Sequence, residues 1–459
     1  MKKILTYSFI VLLIGAFHSC NKDDGSVQDP PQGTTDDEDP PVGSNFEGIV
    51  DYVKTFGGSG EDEAVAVVQA NDGGYVIAGS TTSTDGDITD KTTTDADFWI
   101  LKVNADGSKI WSKTYGGSSP DKATSIRKTT DGGYIVSGHS RSNDGHVGGN
   151  EGFHDYWILK LNSAGDLQWE TNFGFSGSDQ ALNVIQTSDG GYFATGFLDV
   201  TASGGQGNDG RNPEHGVGEY WGIKMNSSGQ KIWRRYFGGS NNDRSYDVAQ
   251  TEDGGFLMAG ASESSDFDIV DDKGSYDFWV VKVSAGGDKQ WTKSYGGSEI
   301  DVAYSITQTT DGNYLLVGDT RSIDKDVSNP LGNADLWAVK FNKNNGAIIW
   351  EKTYGGSEFE SARSVHKQVD GTYLIAGSTR SSNGDVSNNI GQNDAWILVI
   401  DENGQVQYQK TVGGTGLDFA DGALQTTDNK LIVVGNTESS DVDITVNRGI
   451  KDLLLIKVK

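Results

Sequence analysis

Histidine and acidic side chains concentrate between residues 139 and 219, and they are of the kinds that bind metals or transfer protons. Four of the five histidines that follow residue 20 lie in this stretch, with Arg141 and four glutamates among them. An imidazole beside a carboxylate can hold a transition metal or act in an acid–base pair. No His-Glu-x-x-His spacing fixes such a site, so a ligand site and solvated surface histidines both stay open. The candidate ligand-binding residues are His139, Arg141, His146, Glu151, His154, Glu214 and His215.

Aspartates also recur as Asp-x-Asp pairs in polar segments, a pattern that can supply part of a calcium site. Calcium takes about six to eight oxygen ligands, and two carboxylates in one loop provide some of them. The same residues commonly stabilise their own loops through Asx turns, and the fuller Asp-x-Asp-x-Asp-Gly loop is absent from the sequence. Calcium is therefore the one metal cofactor these pairs suggest, and its candidate ligands are Asp85, Asp87, Asp266, Asp268, Asp324, Asp326, Asp441 and Asp443.

Three arginines occur at equivalent positions in similar stretches of the sequence. Arg141, Arg321 and Arg380 each lie three residues after a glycine that ends a β-rich run. A guanidinium can grip an anionic sugar or a carboxylate through two parallel hydrogen bonds. The alternative is a surface ion pair with an aspartate of the same loop, and the sequence leaves both roles open.

All these residues are carried by a repeat that occupies nearly the whole chain. A glycine preceded by an aromatic residue or valine recurs at spacings of 58 to 64 residues, at Gly57, Gly116, Gly174, Gly238, Gly296, Gly355 and Gly413. Seven such units fill residues 46–459 and leave no room for a separate catalytic domain. Departures from the repeat are therefore the best candidates for functional residues, and they concentrate in the second and third units.

Each unit has the pattern of four β-strands. In the second unit, an alternating stretch at 123–129 precedes a DGGY hairpin turn, and the β-rich runs YIVSG, DYWILKL and WETNFG follow. Four-stranded antiparallel units repeated radially form β-propeller blades. The chain begins with a fourth-strand motif and ends after a third strand. The sequence therefore predicts an all-β, seven-bladed β-propeller of four-stranded antiparallel blades, with the N-terminal strand completing the last blade.

All eleven tryptophans fall at two positions of the repeat, within the third strand or at the start of the fourth. Aromatic residues that recur in every blade are predicted to pack between blades rather than to bind sugar. The turn from Asn104 to Trp111 resembles the tryptophan-docking motif of quinoprotein-type propellers, and the Tyr, Gly and Trp pattern is similar to kelch repeats. This resemblance implies the fold, and it adds a quinone-dependent dehydrogenase as a hypothesis by analogy alone.

The N-terminal segment has the features of an export signal. Lys2 and Lys3 precede a short apolar stretch, and Cys20 is the only cysteine of the chain. The segment resembles a bacterial lipobox, which implies lipidation of Cys20, and residues 21–24 look like the export tag of Bacteroidota surface lipoproteins. Residues 21–45 are rich in proline and acids and predict an extended tether. We therefore expect a lipoprotein signal peptide at 1–19, an acidic tether at 20–45 and the propeller at 46–459.

Charge limits the partners. The formal net charge of −28 opposes binding to phosphate backbones, so we expect no nucleic acid and contact with the membrane through the lipid anchor only. The whole chain resembles the uncharacterised propeller lipoproteins of Bacteroidota, which implies an outer-membrane lipoprotein exposed at the cell surface. Without a diagnostic catalytic motif, we expect a monomeric, non-enzymatic propeller that binds an extracellular glycan or protein. The alternative is a polysaccharide hydrolase or lyase that uses the His/Glu cluster.

Overall fold

The computed structural model describes residues 46–211 and 216–459, which form 28 β-strands and one short helix. The predicted signal peptide, Cys20 and the tether lie outside the described residues, as do Glu214 and His215. Within the two described ranges, no helix is both long enough and apolar enough to cross a membrane.

The strands follow one another in groups of four after an initial strand, β1 (Val50–Phe56). Blade 1 consists of β2 (Asp62–Gln69), β3 (Tyr75–Thr81), β4 (Asp97–Val103) and β5 (Lys109–Tyr115). Blade 2 consists of β6 (Asp121–Lys128), β7 (Tyr134–Ser140), β8 (Asp155–Leu161) and β9 (Leu167–Phe173). Blade 3 consists of β10 (Gln180–Gln186), β11 (Tyr192–Leu198), the helix α1 (Val200–Ser203), β12 (Glu219–Met225) and β13 (Lys231–Phe237).

The remaining blades repeat this order. Blade 4 consists of β14 (Asp243–Gln250), β15 (Phe256–Ser262), β16 (Asp277–Val283) and β17 (Lys289–Tyr295). Blade 5 consists of β18 (Asp301–Gln308), β19 (Tyr314–Thr320), β20 (Asp335–Phe341) and β21 (Ile348–Tyr354). Blade 6 consists of β22 (Glu360–Lys367), β23 (Tyr373–Thr379), β24 (Asp394–Ile400) and β25 (Val406–Val412). Blade 7 has β26 (Asp418–Gln425), β27 (Leu431–Thr437) and β28 (Asp452–Val458).

Blade 7 is completed by the first strand of the chain, as the sequence predicts. Its sheet has the order β26, β27, β28, β1, and β1 runs antiparallel to β28 with Thr55 opposite Leu454. Every other blade is a four-stranded antiparallel sheet in chain order. The predicted seven-bladed propeller is therefore confirmed. Every described strand, including the one that completes blade 7, lies between residues 50 and 458.

The first strand of each blade is the innermost. These seven strands lie side by side around the ring and together line a central channel of about 580 Å³. In each of these strands, the antiparallel pairing with the second strand of the blade skips one residue, as between Ala64 and Ala66 in β2. Such a bulge leaves one residue out of the pairing and redirects its side chain, so every blade places one unpaired residue at the channel.

Tryptophan packing between blades is confirmed. The third-strand residues Trp99, Trp157, Trp221, Trp279, Trp337 and Trp396 are all at most 1% exposed. The fourth-strand Trp111 lies against Gly165 of the next blade, where an added Cβ would come within 2.5 Å of the indole ring. Since Gly165 also has φ +79°, glycine is required there both for the turn and for the docked ring.

Candidate functional site

The propeller has two unlike faces. Inter-blade loops and the loops between second and third strands form one of them, which we call the loop face; in blade 1 these are residues 57–61 and 82–96. Short hairpins such as 70–74 and 104–108 form the other, the turn face. Long loops on a rigid scaffold are the usual carriers of binding residues, and the predicted site residues of the described ranges all lie at the loop-face end of the blades.

Each Asp-x-Asp pair fastens its loop to the preceding inter-blade loop. The first aspartates, Asp85, Asp266, Asp324 and Asp441, accept hydrogen bonds of 2.7–2.8 Å from the backbone N–H groups of Ser59, Ser240, Ser298 and Thr415. The second aspartates, Asp87, Asp268, Asp326 and Asp443, accept longer ones of 3.1–3.4 Å from Gly57, Gly238, Gly296 and Gly413. These contacts give the carboxylates a role in shaping the loops.

Calcium stays a prediction. Within residues 46–211 and 216–459, no group of three or more His, Cys, Asp or Glu side chains is arranged to hold a metal ion. The Asp-x-Asp oxygens face N–H and O–H donors of their own loops, as where Ser298 Oγ donates to Asp324 Oδ2 at 2.5 Å. A cation at these pairs has to compete with donors that are already in place.

His146 replaces the second aspartate in blade 2. Its Nδ1 accepts a hydrogen bond of 3.3 Å from the backbone N–H of Gly116, the bond that Asp87 makes to Gly57 in blade 1. Its ring also lies 5.4 Å from the ring of Tyr115, centroid to centroid. His146 therefore makes the loop-to-loop hydrogen bond that an aspartate makes in other blades. It lies apart from His139 and His154.

His139, Arg141 and His154 come together at the loop-face end of blade 2. The two imidazoles meet edge to face with centroids 5.1 Å apart, and His154 Nδ1 lies 3.1 Å from Ser178 Oγ of the next inter-blade loop. The guanidinium of Arg141 lies 3.9 Å from the ring centre of Phe153, whose side chain is 53% exposed. This cluster presents an aromatic ring with a stacked cation to solvent.

The environment of the cluster keeps both imidazoles neutral. Burial, reinforced by the neighbouring His154 and Lys122, lowers the pKa of His139 to about 3. Burial and the charge of Arg141 lower the pKa of His154 as well. The Nδ1 atom of His139 is buried without a hydrogen-bond partner among the described residues. At neutral pH the pair therefore offers neutral rings rather than a cationic acid.

The other predicted members of the cluster are placed differently. Glu151 is exposed and its backbone N–H donates to Asp155 Oδ2 at 2.8 Å. Glu214 and His215 lie outside the described residues, so the acid–base hypothesis that includes them stays a prediction. The long loop of blade 3 carries α1, which the preceding residue Asp199 caps by accepting a hydrogen bond of 2.9 Å from the backbone N–H of Ala202.

The other two arginines of this register also lie against an aromatic ring. Arg321 and Arg380 are 6.0 Å and 5.6 Å from the ring centre of Phe359, which is 38% exposed. Cation–π attraction operates at about these distances. The structure thus shows Arg–Phe contacts in blades 2, 5 and 6, a role that the sequence pattern does not predict.

Exposed hydrophobic side chains concentrate on the loop face. Ten of the seventeen large hydrophobic residues that the described ranges leave exposed lie there: Phe153, Val217, Phe267, Val270, Ile323, Leu331, Phe359, Val442, Val446 and Ile450. A turn-face hairpin carries Val369, and the other six lie at or just before the beginning of a blade's outermost strand: Ile49, Ile110, Ile232, Ile348, Ile349 and Val406. Clustered apolar surface of this kind marks interaction sites, whereas single exposed residues need no explanation.

Two of these side chains stand at strained backbone positions. Phe267 and Val442 have φ of +51° and +55° and are 59% and 61% exposed. Each occupies the middle of an Asp-x-Asp pair, where blades 1 and 2 have Gly86 and Gly145. A bulky or β-branched residue with positive φ is a genuine outlier, and such strain tends to persist at functional sites.

The central channel contains buried polar residues that lie outside the predicted site. Asp247 is 5% exposed and accepts hydrogen bonds from Asn183 Nδ2 at 2.7 Å and Ser305 Oγ at 2.8 Å. Arg127 Nη2 lies 3.9 Å from its Oδ1. These contacts join the inner strands of blades 2 to 5. Asp247 could have been recognised in the sequence as a departure from the repeat, because most blades carry a smaller residue at its position.

Comparisons with known proteins give limited similarity. No known protein-family profile matches the chain. A 169-residue stretch is 26% identical to the regulatory protein FlaEY of Caulobacter vibrioides, covering 34% of this chain and 17% of that protein. The chain thus matches about a sixth of the length of that relative.

Several solved structures share a similar arrangement. A Bacteroides caccae protein of unknown function is 11% identical with a TM-score of 0.40, over 68% of this chain and 89% of that chain. BamB of Moraxella catarrhalis is 10% identical with a TM-score of 0.41, over 90% and 100%. The quinohemoprotein alcohol dehydrogenase of Comamonas testosteroni is 8% identical with a TM-score of 0.48, over 91% and 78%. None of these similarities assigns a function to this chain.

Proposed function

We propose that this protein is an outer-membrane lipoprotein, anchored through Cys20 and exposed at the cell surface, whose loop face binds an extracellular protein without catalysis. The export signal and acidic tether support the location. The observation that carries the binding function is the pair of exposed hydrophobic residues, Phe267 and Val442, held at positive φ. Glycine at both positions would relieve the strain, and strained residues tend to lie at functional sites, which supports a binding role for these two exposed side chains.

The chemistry of the loop face favours a protein over a glycan. Val270 and Ile323 are 78% and 72% exposed, and branched aliphatic side chains offer no flat ring on which a sugar can stack. They are well suited to pockets in an apolar protein surface. Because the whole chain carries a net charge of −28, a partner with a basic rim around an apolar patch is complementary.

The blade 2 cluster provides an anchor for the same surface. Arg141 stacked on the half-exposed ring of Phe153 combines the two residue classes, arginine and aromatic, that are enriched in the energetic centres of interfaces. Neutral His139 and His154 support the ring from behind without adding a charge that a partner would have to desolvate. The predicted site in blade 2 is thus part of the proposed loop-face interface.

Binding to intact cells tests the proposal. Fluorescently labelled residues 46–459 are applied to cells of the source bacterium that lack the gene, before and after treatment with protease or with periodate. We expect saturable binding that protease removes and periodate spares, weakened at least tenfold by the double substitution F267G/V442G. The matched control V369G, on the turn face, should bind like the wild type.

Two results would contradict the proposal. Loss of binding after periodate alone would identify a glycan as the partner. Equal binding by F267G/V442G and the wild type would show that these two side chains do not form the interface.

A further inference from the structure

The inner strands hold a second feature, independent of the loop face, at the residue that each bulge leaves unpaired. The residue before it is alanine in six blades and serine in blade 4, whereas the unpaired residue differs between blades. In blades 1 to 3 it is Val65, Thr124 or Leu182, so this wall of the channel is largely apolar. A position that varies within an otherwise regular repeat, on a cavity wall, is free to serve a ligand.

The opposite wall is aromatic and charged. Tyr246 and Tyr304 of blades 4 and 5 lie with ring centroids 5.0 Å apart, and the guanidinium of Arg363 in blade 6 lies 4.0 Å from the ring centre of Tyr304. Asp421 of blade 7 follows, and its Oδ2 accepts a hydrogen bond of 3.1 Å from Asn436 Nδ2. All four unpaired residues are half-buried and line the channel.

The donors and acceptors of this wall suit hydroxyl groups. A guanidinium supplies several N–H donors in a fixed plane, and a carboxylate and phenolic oxygens accept. Aromatic rings provide an apolar surface for the C–H face of a sugar ring. The channel volume of about 580 Å³ falls within the range of small-molecule sites, about 300–1,000 Å³.

Charge pairing along the channel favours a neutral ligand. Arg127 faces Asp247 at 3.9 Å, and burial raises the pKa of Asp421 to about 6, an effect that the positive charge of Arg363 reduces without cancelling. A ligand carboxylate or ammonium would have to displace one of these partners, at a cost of several-fold or more in affinity. Hydroxyl groups can bridge the same pairs without separating them.

We propose that the wall formed by Tyr246, Tyr304, Arg363 and Asp421 binds a neutral sugar in the central channel. The same chemistry fits a free monosaccharide and the terminal unit of a glycan. The proposal does not depend on the loop-face function, because Phe267 and Val442 do not line the channel.

Calorimetric titration of residues 46–459 tests this site. The probes are glucose, galactose, mannose and N-acetylglucosamine, each as the free sugar and as a trisaccharide, so that the two sources are distinguished. We expect saturable binding of at least one probe, weakened at least tenfold in R363M and in Y246L. Methionine keeps the apolar contact of the arginine stem, and L182M on the opposite wall is the matched control, expected to stay within twofold of the wild type.

Three outcomes overturn the proposal. The first is the absence of binding by every probe. The second is unchanged affinity in R363M and Y246L, verified to be folded by thermal unfolding. The third is an equal loss in L182M, which would indicate a general effect on the channel. Normal sugar binding by F267G/V442G is expected, and it separates a failure of this site from a failure of the loop-face interface.

Discussion

Replacing Val442 with glycine should stabilise the propeller. Val442 has φ +55°, and glycines occupy this position in blades 1, 2 and 6, as Gly86, Gly145 and Gly384 with φ of +66° to +68°. The left-handed conformation costs a residue with a Cβ about 1–2 kcal/mol, whereas glycine costs about 0.5–1 kcal/mol in chain entropy. Because the valine side chain is 61% exposed, little buried surface is lost. The expected net gain is about 0.5–1 kcal/mol.

A double substitution makes this gain measurable. Lys325 stands at the same register in blade 5, exposed and with φ +56°, and distant sites usually add, so K325G/V442G should gain about 1–2 kcal/mol. The assay is the midpoint of urea unfolding of residues 46–459. The matched control is V446G, in the same loop as Val442 and 45% exposed without a positive φ, which should lose about 0.5–1 kcal/mol. A double variant that unfolds at or below the urea concentration of the wild type refutes the argument that these residues are strained.

Three further predictions follow from the fold. Burial, with the nearby charges of Asp272 and Asp301, raises the pKa of Asp277 to about 7, so its contribution to stability is fully present below the unfolded pKa and is lost as the pH rises through 7. Replacement by asparagine, which keeps an acceptor for the backbone N–H of Lys273, should stabilise the chain at pH 8 by at most about 4 kcal/mol and flatten its pH profile of unfolding. If the Asp-x-Asp pairs hold calcium, EGTA should lower the melting temperature by several degrees, and an unchanged melting temperature would rule calcium out at these pairs. C20S should abolish labelling of the chain with an alkyne-bearing fatty acid, and persistent labelling would place the lipid elsewhere.

The fold was predictable because the repeat is regular. The spacing of the repeated glycines predicted seven units, and the alternation of apolar and polar residues predicted four strands in each. Because the propeller sequence begins with a fourth-strand motif and ends after a third strand, closure of the last blade by β1 was predictable as well. Each of these signals is local in the sequence, and each is enforced by burial, as at the third-strand tryptophans. Regular positions therefore translated directly into structure.

The candidate site was only partly predictable. The sequence placed His139, His146 and His154 in one group, but His146 fastens its loop to Gly116 while the other two imidazoles meet. That separation depends on the loop path, which no spacing encodes. The arginines of the same register were expected to meet anions, but Arg141 lies on Phe153 at the far end of its own loop, and Arg321 and Arg380 lie on Phe359 of the loop between blades 5 and 6.

The channel and the strained residues were missed for another reason. The departures from the repeat that are most evident in the sequence lie in long loops, whereas Tyr304 and Arg363 depart from it inside regular strands. Their orientation into the channel follows from a bulge that leaves no mark in the hydrophobic pattern. The positive φ of Phe267 and Val442 could have been inferred from the glycines at the same register in other blades, since only glycine adopts that conformation freely.

Site-specific photo-crosslinking in living cells tests the central claim most directly. A benzophenone amino acid is placed at Val442 on the loop face or at Val369 on the turn face, which are 61% and 88% exposed. The account predicts that illumination of cells joins the loop-face variant to a defined cell-surface protein, and that the turn-face variant forms no such product. Equal products from both positions, or a product from Val369 alone, would contradict the claim that the loop face is the binding surface.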